Sequence, residues 1–394
     1  MDDGESRQAR VMSRIADIPA ADWDACANPD PARTNPFVAH AFLDALEAAG
    51  TTGLVTGWVP QHILLERADG GIQAVLPLYV KSHSRGEYVF DHAFADAYHR
   101  AGGRYYPKLQ VAVPFTPVPG PRLLVAPGTD RAAAERTLIA AALTLAERIG
   151  ASSLHITFAT ESEWQRLGDI GLLQRTGQQF HWINRGYATF DDFLDGLASR
   201  KRKMVRKERT EATAGGLTIE AVSGAGITEA HWDAMHAFYV DTGLRKWGRP
   251  YLNRAFFSEL GRSMADRCLI VFALRAGRRI AGALHLIGGD CLYGRYWGAS
   301  EHVPYLHFEL CYYQAIDYAI AHRLARIEAG AQGEHKLARG YDPVTTYSAH
   351  WFADPRLAAG VARFLADERR AVAESNRMLA TFAPYKTSLA EEQD

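Results

Sequence analysis

Two short stretches of the 394-residue sequence concentrate side chains able to move a proton or hold a developing oxyanion. The first, 302–309, carries His302, Tyr305, His307 and Glu309; the second, 334–341, carries Glu334, His335, Lys336, Arg339 and Tyr341. That set suits an amine attacking an ester or thioester, a reaction that needs a proton acceptor, donors for the oxyanion and a pocket that excludes water. Glu309, His307, His335 and Lys336 are the candidate catalytic groups, and Tyr305, Glu334, Arg339 and Tyr341 the candidate substrate contacts. The surrounding pattern predicts a helix over 308–322 and a strand over 325–330. The first stretch then opens the helix and the second follows the strand, so in a strand–helix–strand unit both lie at the same end of the sheet. Glu309 and Tyr313 share a helix face by their i,i+4 spacing, opposite Phe308, Tyr312, Ala315 and Ala319. The plain alternative is an exposed, hydrogen-bonded helix start beside a solvated loop.

His155 stands alone in an apolar strand, 153–158, and His285 inside another, 281–288. Such histidines are commonly satisfied core residues; His155 is kept as a candidate base and His285 as a substrate contact. The aromatic pairs Tyr105-Tyr106 and Tyr296-Trp297 read as packing or, if they line a pocket, as walls for an extended apolar or ring-bearing ligand. Tyr105, Lys108, Tyr296 and Trp297 therefore join the substrate contacts. Between Arg200 and Arg209, seven residues in ten are basic and one, Glu208, is acidic. This is either a solvated helix face or a docking surface in which Arg200, Lys201, Arg202, Lys203, Arg206 and Lys207 meet a donor. The same charge serves a tRNA backbone, the acids of an acyl carrier protein, or anionic lipid head groups. No metal is expected, since the fifteen histidines lack the spacings of a ligand set. Cys26, Cys268, Cys291 and Cys311 are scattered and read as reduced thiols of a cytosolic protein.

Length and composition set the frame that must position these groups. A chain of 394 residues, 47% hydrophobic and 23% charged, reads as two folded domains. A net charge of −1 excludes wholesale coating of nucleic acid. The polar start shows no secretory signal, and no apolar run approaches the ~20 residues of a membrane span. The expected location is cytoplasmic, with peripheral contact at the inner membrane as the alternative. Residues 1–10 are expected to be disordered, 11–186 to form one domain, 187–389 a second opening with the basic helix, and 390–394 an acidic tail. The first domain reads as one helix within 21–50, a hairpin about 69–71, an irregular proline-rich wall at 105–125, helices at 131–149 and 161–167, and strands at 153–158 and 180–183. The second reads as one helix over 189–215, a strand at 217–222, helices at 231–242 and 253–266, a meander over 267–299, and a closing helix or helix pair over 355–382.

The stretch DDFLDGLASRKRKMVRKERTEATAGGLTIEAV (191–222) resembles the basic helix that opens the second GNAT-like domain of FemABX-type transferases. LYGRYWGASEHVPYLHFELCYYQAIDYAIAHRLARIEAGAQGEHKLARGYDP (292–343) resembles that family's strand, crossing loop, helix and strand, followed by a Gly-and-Lys loop. FVAHAFLDALEAAG and RYYPKLQVAVPFTPVPGPRLLV are similar to the FemAB-like branch of bacterial predicted N-acyltransferases and peptidoglycan biosynthesis proteins. The resemblance implies an α/β fold of the α+β type: two tandem GNAT-like domains, mixed sheets flanked by helices, with a substrate cleft between them. It also implies transfer of an acyl or aminoacyl group to an amine of a cell-envelope precursor, since FemABX enzymes carry an amino acid from aminoacyl-tRNA to a peptidoglycan precursor. One departure matters. Ordinary GNAT enzymes hold the acyl-CoA pyrophosphate with a Q/R-x-x-G-x-G/A loop, whereas the nearest string here, 295–300, ends in Ser300, and 301–307 has no glycine. No tightly bound cofactor is expected. The cosubstrate is acyl-CoA, acyl carrier protein or aminoacyl-tRNA, and the acceptor a peptidoglycan-type peptide or a small or sphingoid-type lipid amine. A non-catalytic binding module of the same fold is the rival reading.

Overall fold

The computed structural model describes residues 8–67, 69–246, 248–330 and 333–386. The chain forms two compact units that interleave in sequence: Met1–Gly177 with Thr345–Ala373, and Gln178–Val344 with Glu374–Asp394.

The first unit begins with β1 (Gln8–Met12), α1 (Ala20–Ala27), α2 (His40–Ala48), β2 (Trp58–Pro60), β3 (His62–Glu66), β4 (Ile72–Leu76) and β5 (Leu78–Lys81). Residues 8–10, expected to be disordered, pair with β3 from Gln8↔Glu66 onward; residues 1–7 lie outside the described residues. Where one helix was expected within 21–50 there are two, separated by the Pro31 turn. Next come α3 (His92–Arg100), which the sequence reading missed, then β6 (Lys108–Val111), β7 (Leu124–Val125), α4 (Arg131–Ile149), β8 (Ser153–Ala159) and α5 (Glu161–Asp169). β1, β3, β4 and β7 make a small antiparallel sheet. In the main sheet β2, β5, β6 and β8 are followed by the C-terminal part of β15 (Tyr341–Phe352). α12 (Pro355–Ala380) then begins in this unit.

β6 and β8 run parallel, with Leu109 opposite Leu154 and Gln110 opposite His155, and α4 makes the crossover that a parallel pair requires. The Asp130 side chain caps α4 by accepting from Ala133 N–H, and Gly150 ends it with φ 65°. Ala134, Leu138, Ile139, Ala142, Leu145 and Ala146 recur at helical spacing and are all buried. Truncating one of these leucines costs on the order of 2–5 kcal/mol.

The proline-rich stretch after β6 folds back on the carboxyl end of β8. Gly120 N–H donates to Phe158 O at 3.0 Å, and the buried Arg122 donates to Thr157 O at 2.9 Å and Val118 O at 2.6 Å. Glu163 of α5 accepts from the Arg122 and Leu123 N–H groups, each at 2.8 Å.

In the second unit β10 (Leu217–Ser223), β11 (Cys268–Arg275), β12 (Arg278–Ile287) and β13 (Cys291–Ala299) form an antiparallel meander. β14 (Arg326–Glu328) joins β13 in parallel, and the end of β9 (Leu173–Ile183) closes the order. The meander and the short strand at 326–328 lie where the periodicity placed them. The expected single helix over 189–215 is two, α6 (Phe190–Gly196) and α7 (Ser199–Ala212), parted where Leu197 is extended. α8 (Glu229–Lys246) and α9 (Arg254–Met264) cover the meander edge. A Cβ on Gly298 would collide with the backbone carbonyl of Phe238 in α8, so this glycine serves helix–sheet contact. The helix expected over 308–322 starts earlier: α10 (Leu306–Phe308), a widened i→i+5 turn at Glu309–Tyr313, then α11 (Gln314–Ala321). The stretch after β14, expected as a loop, is a tight helical turn, Glu334–Arg339, running directly into β15. Among the described residues no helix is long and apolar enough to cross a membrane.

Candidate functional site

β13 and β14 pair over only three residues, Cys291↔Arg326 to Tyr293↔Glu328, and then part. At that point β13 also bulges against β12, because Leu284 faces Tyr296 but His285 faces Gly294, leaving Arg295 as the extra residue. The widened turn of the crossover helix lies over the gap, and such turns recur at functional sites. The result is a cavity of about 90 Å³ lined by His285, Arg295, Tyr296, Trp297, His307, Cys311 and Tyr312 among others. It lies at the carboxyl end of a parallel pair, where ligands bind in open α/β sheets. Four of the side chains singled out in the sequence, His285, Tyr296, Trp297 and His307, meet on its wall.

The Trp297 ring packs edge-on to His307 at 5.1 Å, and His307 edge-on to Tyr312 at 5.3 Å. His285 is 1% exposed, and burial holds its imidazole down at about 4, so it is neutral at physiological pH. The ring is hydrogen-bonded to the backbone of Cys311 and Leu269, although Nδ1 has no partner of good geometry.

The other candidates around the helix do not line this cavity. Glu309 and Tyr313 do share a side, but α7 covers it. Arg209 donates to both Glu309 oxygens, at 3.2 and 3.0 Å, and Gln314 donates to one at 2.7 Å. A carboxylate so engaged is a structural ion pair rather than an available base. Arg339 donates to both Glu208 oxygens, at 3.1 and 2.7 Å, and stacks on Phe308 at 3.4 Å; Tyr313 OH donates to the same Glu208. His335 is exposed, with Nε2 3.0 Å from Tyr312 OH. Tyr341 is buried, edge-on to Tyr312 at 5.4 Å, its hydroxyl unpartnered. Lys336 is 2% exposed, donates to Gly330 O at 3.0 Å, and is pulled by burial to about 8. Tyr305 opens the helix in a left-handed conformation at φ 59°, and Glu334 is exposed.

His155, Tyr105 and Lys108 meet in the first unit, inside a buried charged cluster at the amino ends of β6 and β8. Lys108 Nζ donates to Ser84 Oγ at 2.9 Å, to Glu87 at 2.7 Å and to Asp91. Lys81 lies 3.5 Å from Glu87 and 3.6 Å over the Trp58 ring, and burial pulls it to about 7 against the attraction of Glu87. Burial pushes Asp91 up, but Lys108 and His155 more than reverse this and hold it below its usual range. Tyr105 OH donates to Asp91 at 2.8 Å and lies 3.2 Å from His155 Nε2. His155 Nδ1 is 2.7 Å from His350 Nδ1, so one ring must donate to the other. Donation from His350 leaves His155 Nε2–H for Ser153 Oγ, at 2.8 Å, and turned toward Asp91. That tautomer buries only a lone pair at the unpartnered His350 Nε2. Burial holds His155 at about 3, so it is neutral.

Residues 14–387 match the FemAB-like family, described as peptidoglycan biosynthesis/recognition. The chain belongs to that family. In fold it is similar to FemX, at 12% identity and a TM-score of 0.56, covering 88% of this chain and 98% of FemX. A conserved protein from Bacteroides thetaiotaomicron matches at 13% identity and 0.52, covering 87% and 99%. A C-terminal domain from Agrobacterium fabrum, assigned to a lysylphosphatidylglycerol synthetase, matches at 10% identity and 0.52, covering 88% and 96%. A search of curated proteins found no match. The fold is accordingly mixed α/β, of the kind seen in FemX.

In this FemAB-like protein the basic helix α7 is anchored by its acid. Val205, Glu208 and Ala212 face inward, and Glu208 is 5% exposed against Arg339. Arg202 pairs with Asp195 at 2.6 Å, Arg206 with Asp191 at 3.4 Å and Lys207 with Glu211 at 3.6 Å. Arg200 and Lys203 are exposed, and Lys201 half-buried. The sequence reading did not assign Arg295, Cys311 or His350 to a site. Arg295 enters the site through a bulge, which no spacing rule announces, and Cys311 through the widened turn, which shifts the helical phase.

Proposed function

We propose that this FemAB-like protein transfers a short acyl or aminoacyl group to an amine of a cell-envelope precursor, with the reacting carbonyl seated in the β13–β14 cavity. The observation that supports this is the half-open wedge itself, walled by aromatics and holding a neutral His285 at its edge. A space of about 90 Å³ accepts a carbonyl with a small substituent, and a substrate that fills it would displace water and strengthen the polar contacts inside it. In the reaction the amine nitrogen bonds to the acyl carbon, the donor C–S or C–O bond breaks, and the ammonium proton passes to a base. His307 is the base on this reading, and His285 orients the carbonyl or amine through Nδ1. Tyr296 and Trp297 flank the acyl group. A peptidoglycan-type peptide is the favoured acceptor in view of the family, with a sphingoid-type lipid amine second.

The test offers the purified protein an acyl thioester or an aminoacyl-tRNA with each acceptor and reads amide formation by mass spectrometry. Wild type is expected to form the amide with one pair, and a His285→Ala/His307→Ala variant to lose at least a hundredfold in rate. Binding of an acceptor with no amide from any pair would replace this reading with that of a recognition module.

A further inference from the structure

In the first unit the strand register puts the start of β2, the end of β5, the starts of β6 and β8 and the end of β15 in one row. The pairs are Trp58↔Lys81, Lys81↔Lys108, Leu109↔Leu154 and Ser153↔Phe352. The connections at that end of the sheet include 49–57, 82–107 with α3, and 353–354 ahead of α12. Leu54, in the turn of the first, is 84% exposed and Val55 fully exposed. Phe90 in the second and Phe364 of α12 are also exposed.

α3 and α12 pack through Phe94, Val361 and Leu365 over Phe352. Between them they leave a groove of about 440 Å³, nearly five times the volume of the β13–β14 cavity and within the range of small-molecule sites. Ala93, Phe94 and Ala97 of α3 and Leu357, Gly360 and Phe364 of α12 line it. Gly360 helps to keep it open. A glycine inside a helix is destabilising and ordinarily has a packing reason, yet a Cβ there would meet nothing within 4 Å. The charge about the groove is positive. Over 92–104 and 354–364, Arg100, Arg104, Arg356 and Arg363 stand against Asp96 and Asp354, although the whole chain carries −1. All four arginines are exposed, and Arg356 pairs with Asp354 at 2.8 Å.

We propose that this end of the first unit docks on a bilayer bearing anionic head groups. The groove takes a lipid hydrocarbon chain, the Leu54–Val55 tip enters the acyl boundary, and the arginines meet the phosphates. A soluble ligand with an apolar tail would account for the groove but not for the tip. β2, which follows the tip, and β15, which leads into α12, are four strands apart in the sheet order, ~19 Å at the ordinary strand spacing. A bilayer covers both, and its anionic charge complements the arginines. The inference is independent of the transfer reading, and its test reads binding alone.

The test is co-sedimentation of the purified chain, at low and moderate salt, with vesicles of phosphatidylcholine alone and with about a third phosphatidylglycerol. Binding is expected to the anionic vesicles only, and to weaken as salt rises. Leu54→Ser/Val55→Ser should lower partition at least about tenfold, and Arg100→Gln/Arg104→Gln about fivefold per arginine. Gly360→Leu fills the groove from a position with open space. It should lower partition about tenfold, with an unfolding midpoint unchanged or raised. Phosphatidylglycerol carrying a diazirine on its chain should crosslink to peptides of α3 and α12. Replacing Lys201, Lys203, Arg206 and Lys207 of α7 by Gln should leave vesicle binding as in wild type. Failure to bind anionic vesicles overturns the proposal. So does wild-type partition of the tip and groove variants, or a loss confined to the α7 variant. Crosslinking of a free diazirine fatty acid in the groove without vesicle binding also overturns it, in favour of a soluble ligand.

Discussion

Each unit contains one parallel strand pair bridged by a helix, and the two pairs have been finished in opposite ways. Beyond β6 and β8 the chain supplies its own plug: the proline-rich stretch returns and Arg122 donates to carbonyls at the carboxyl end of β8. Beyond β13 and β14 none of the described residues fills the gap, and His285, His307 and Cys311 line what remains. The polar groups follow suit. In the first unit Lys81, Lys108, Glu87 and Asp91 lie at the amino ends and neutralise one another; in the second, the neutral His285 lines the wedge. The same scaffold is a structural core where its buried charges are paired and a candidate site where the strand ends part around a cavity.

Filling the open wedge should cost most. A Cβ on Gly294 meets only ordinary contacts, Ala329 Cα at 3.6 Å and His285 Cδ2 at 3.7 Å. Gly294→Ala is therefore expected to fold and keep activity within about tenfold. Gly294→Val places methyl groups in the cavity and should lower kcat/KM by about 10²–10³-fold, or about 3–4 kcal/mol, with an unchanged unfolding midpoint. Equal activity of the two variants would break the contrast between plugged and open wedges.

The matching change in the first unit is Lys108→Met, which strands Glu87 and Asp91 without their principal counter-charge. A loss of about 3–5 kcal/mol is expected from urea unfolding, because removing one partner of a buried pair leaves the other uncompensated. Replacing Lys81, Lys108, Glu87 and Asp91 together by apolar residues should recover most of that loss. If Lys108→Met instead abolishes transfer at full stability, the first unit holds a site as well.

Much of the frame could be read from the sequence, and the exceptions have physical causes. The periodicity of 131–149, and the turns at Gly277 and Gly288-Gly289, announced α4 and the meander because local pattern and tertiary burial agree there. α3 was missed because only Phe94 of its nine residues is buried, so its apolar signal is faint. The charged clusters were illegible for another reason. Lys81, Glu87 and Asp91 are brought to Lys108 by tertiary folding alone, and a Lys or Glu in a polar stretch looks solvated. Glu309 was legible as important, but its partner, Arg209, lies a hundred residues away.

The histidine pair sharpens the comparison more gently. His155 is held at about 3, and His350 is also lowered, so the unfolded chain binds more protons than the folded one below about pH 6.5. Their contribution is present above pH 6.5 and is lost as pH falls toward the folded values, by about 1.4 kcal/mol per pH unit per histidine. Between pH 6.5 and 4.5 a His155→Gln/His350→Gln variant should show a correspondingly flatter decline in urea midpoint. Glu328 of the second unit, raised by burial to about 7, has the opposite sign. Its contribution is present below about pH 4.5 and lost as pH rises through 7, so Glu328→Gln should steepen the acid decline. Unchanged slopes in both variants would show that neither unit keeps these groups uncharged.

The smallest effect on the fold is expected at α7, and there the comparison passes from the wedges to their cosubstrate. Arg200, Lys203, Arg206 and Lys207 are exposed, and the pairs of Arg206 and Lys207 are surface pairs worth little. Replacing Lys201, Lys203, Arg206 and Lys207 by Gln should leave stability within about 0.5 kcal/mol, since surface changes away from buried features rarely do more. A polyphosphate donor held by several of these cations loses affinity steeply as salt rises, through counterion release, whereas a small acyl thioester has no such dependence. The quadruple variant should therefore fail with aminoacyl-tRNA, and with an acidic carrier protein, yet keep transfer from a small or detergent-dispersed acyl-CoA. The measurement is amide formation with each donor at low and moderate salt. Equal activity of variant and wild type with every donor would leave Glu208 and Arg209 as the residues of the run with a task, that of holding the helix to Arg339 and Glu309.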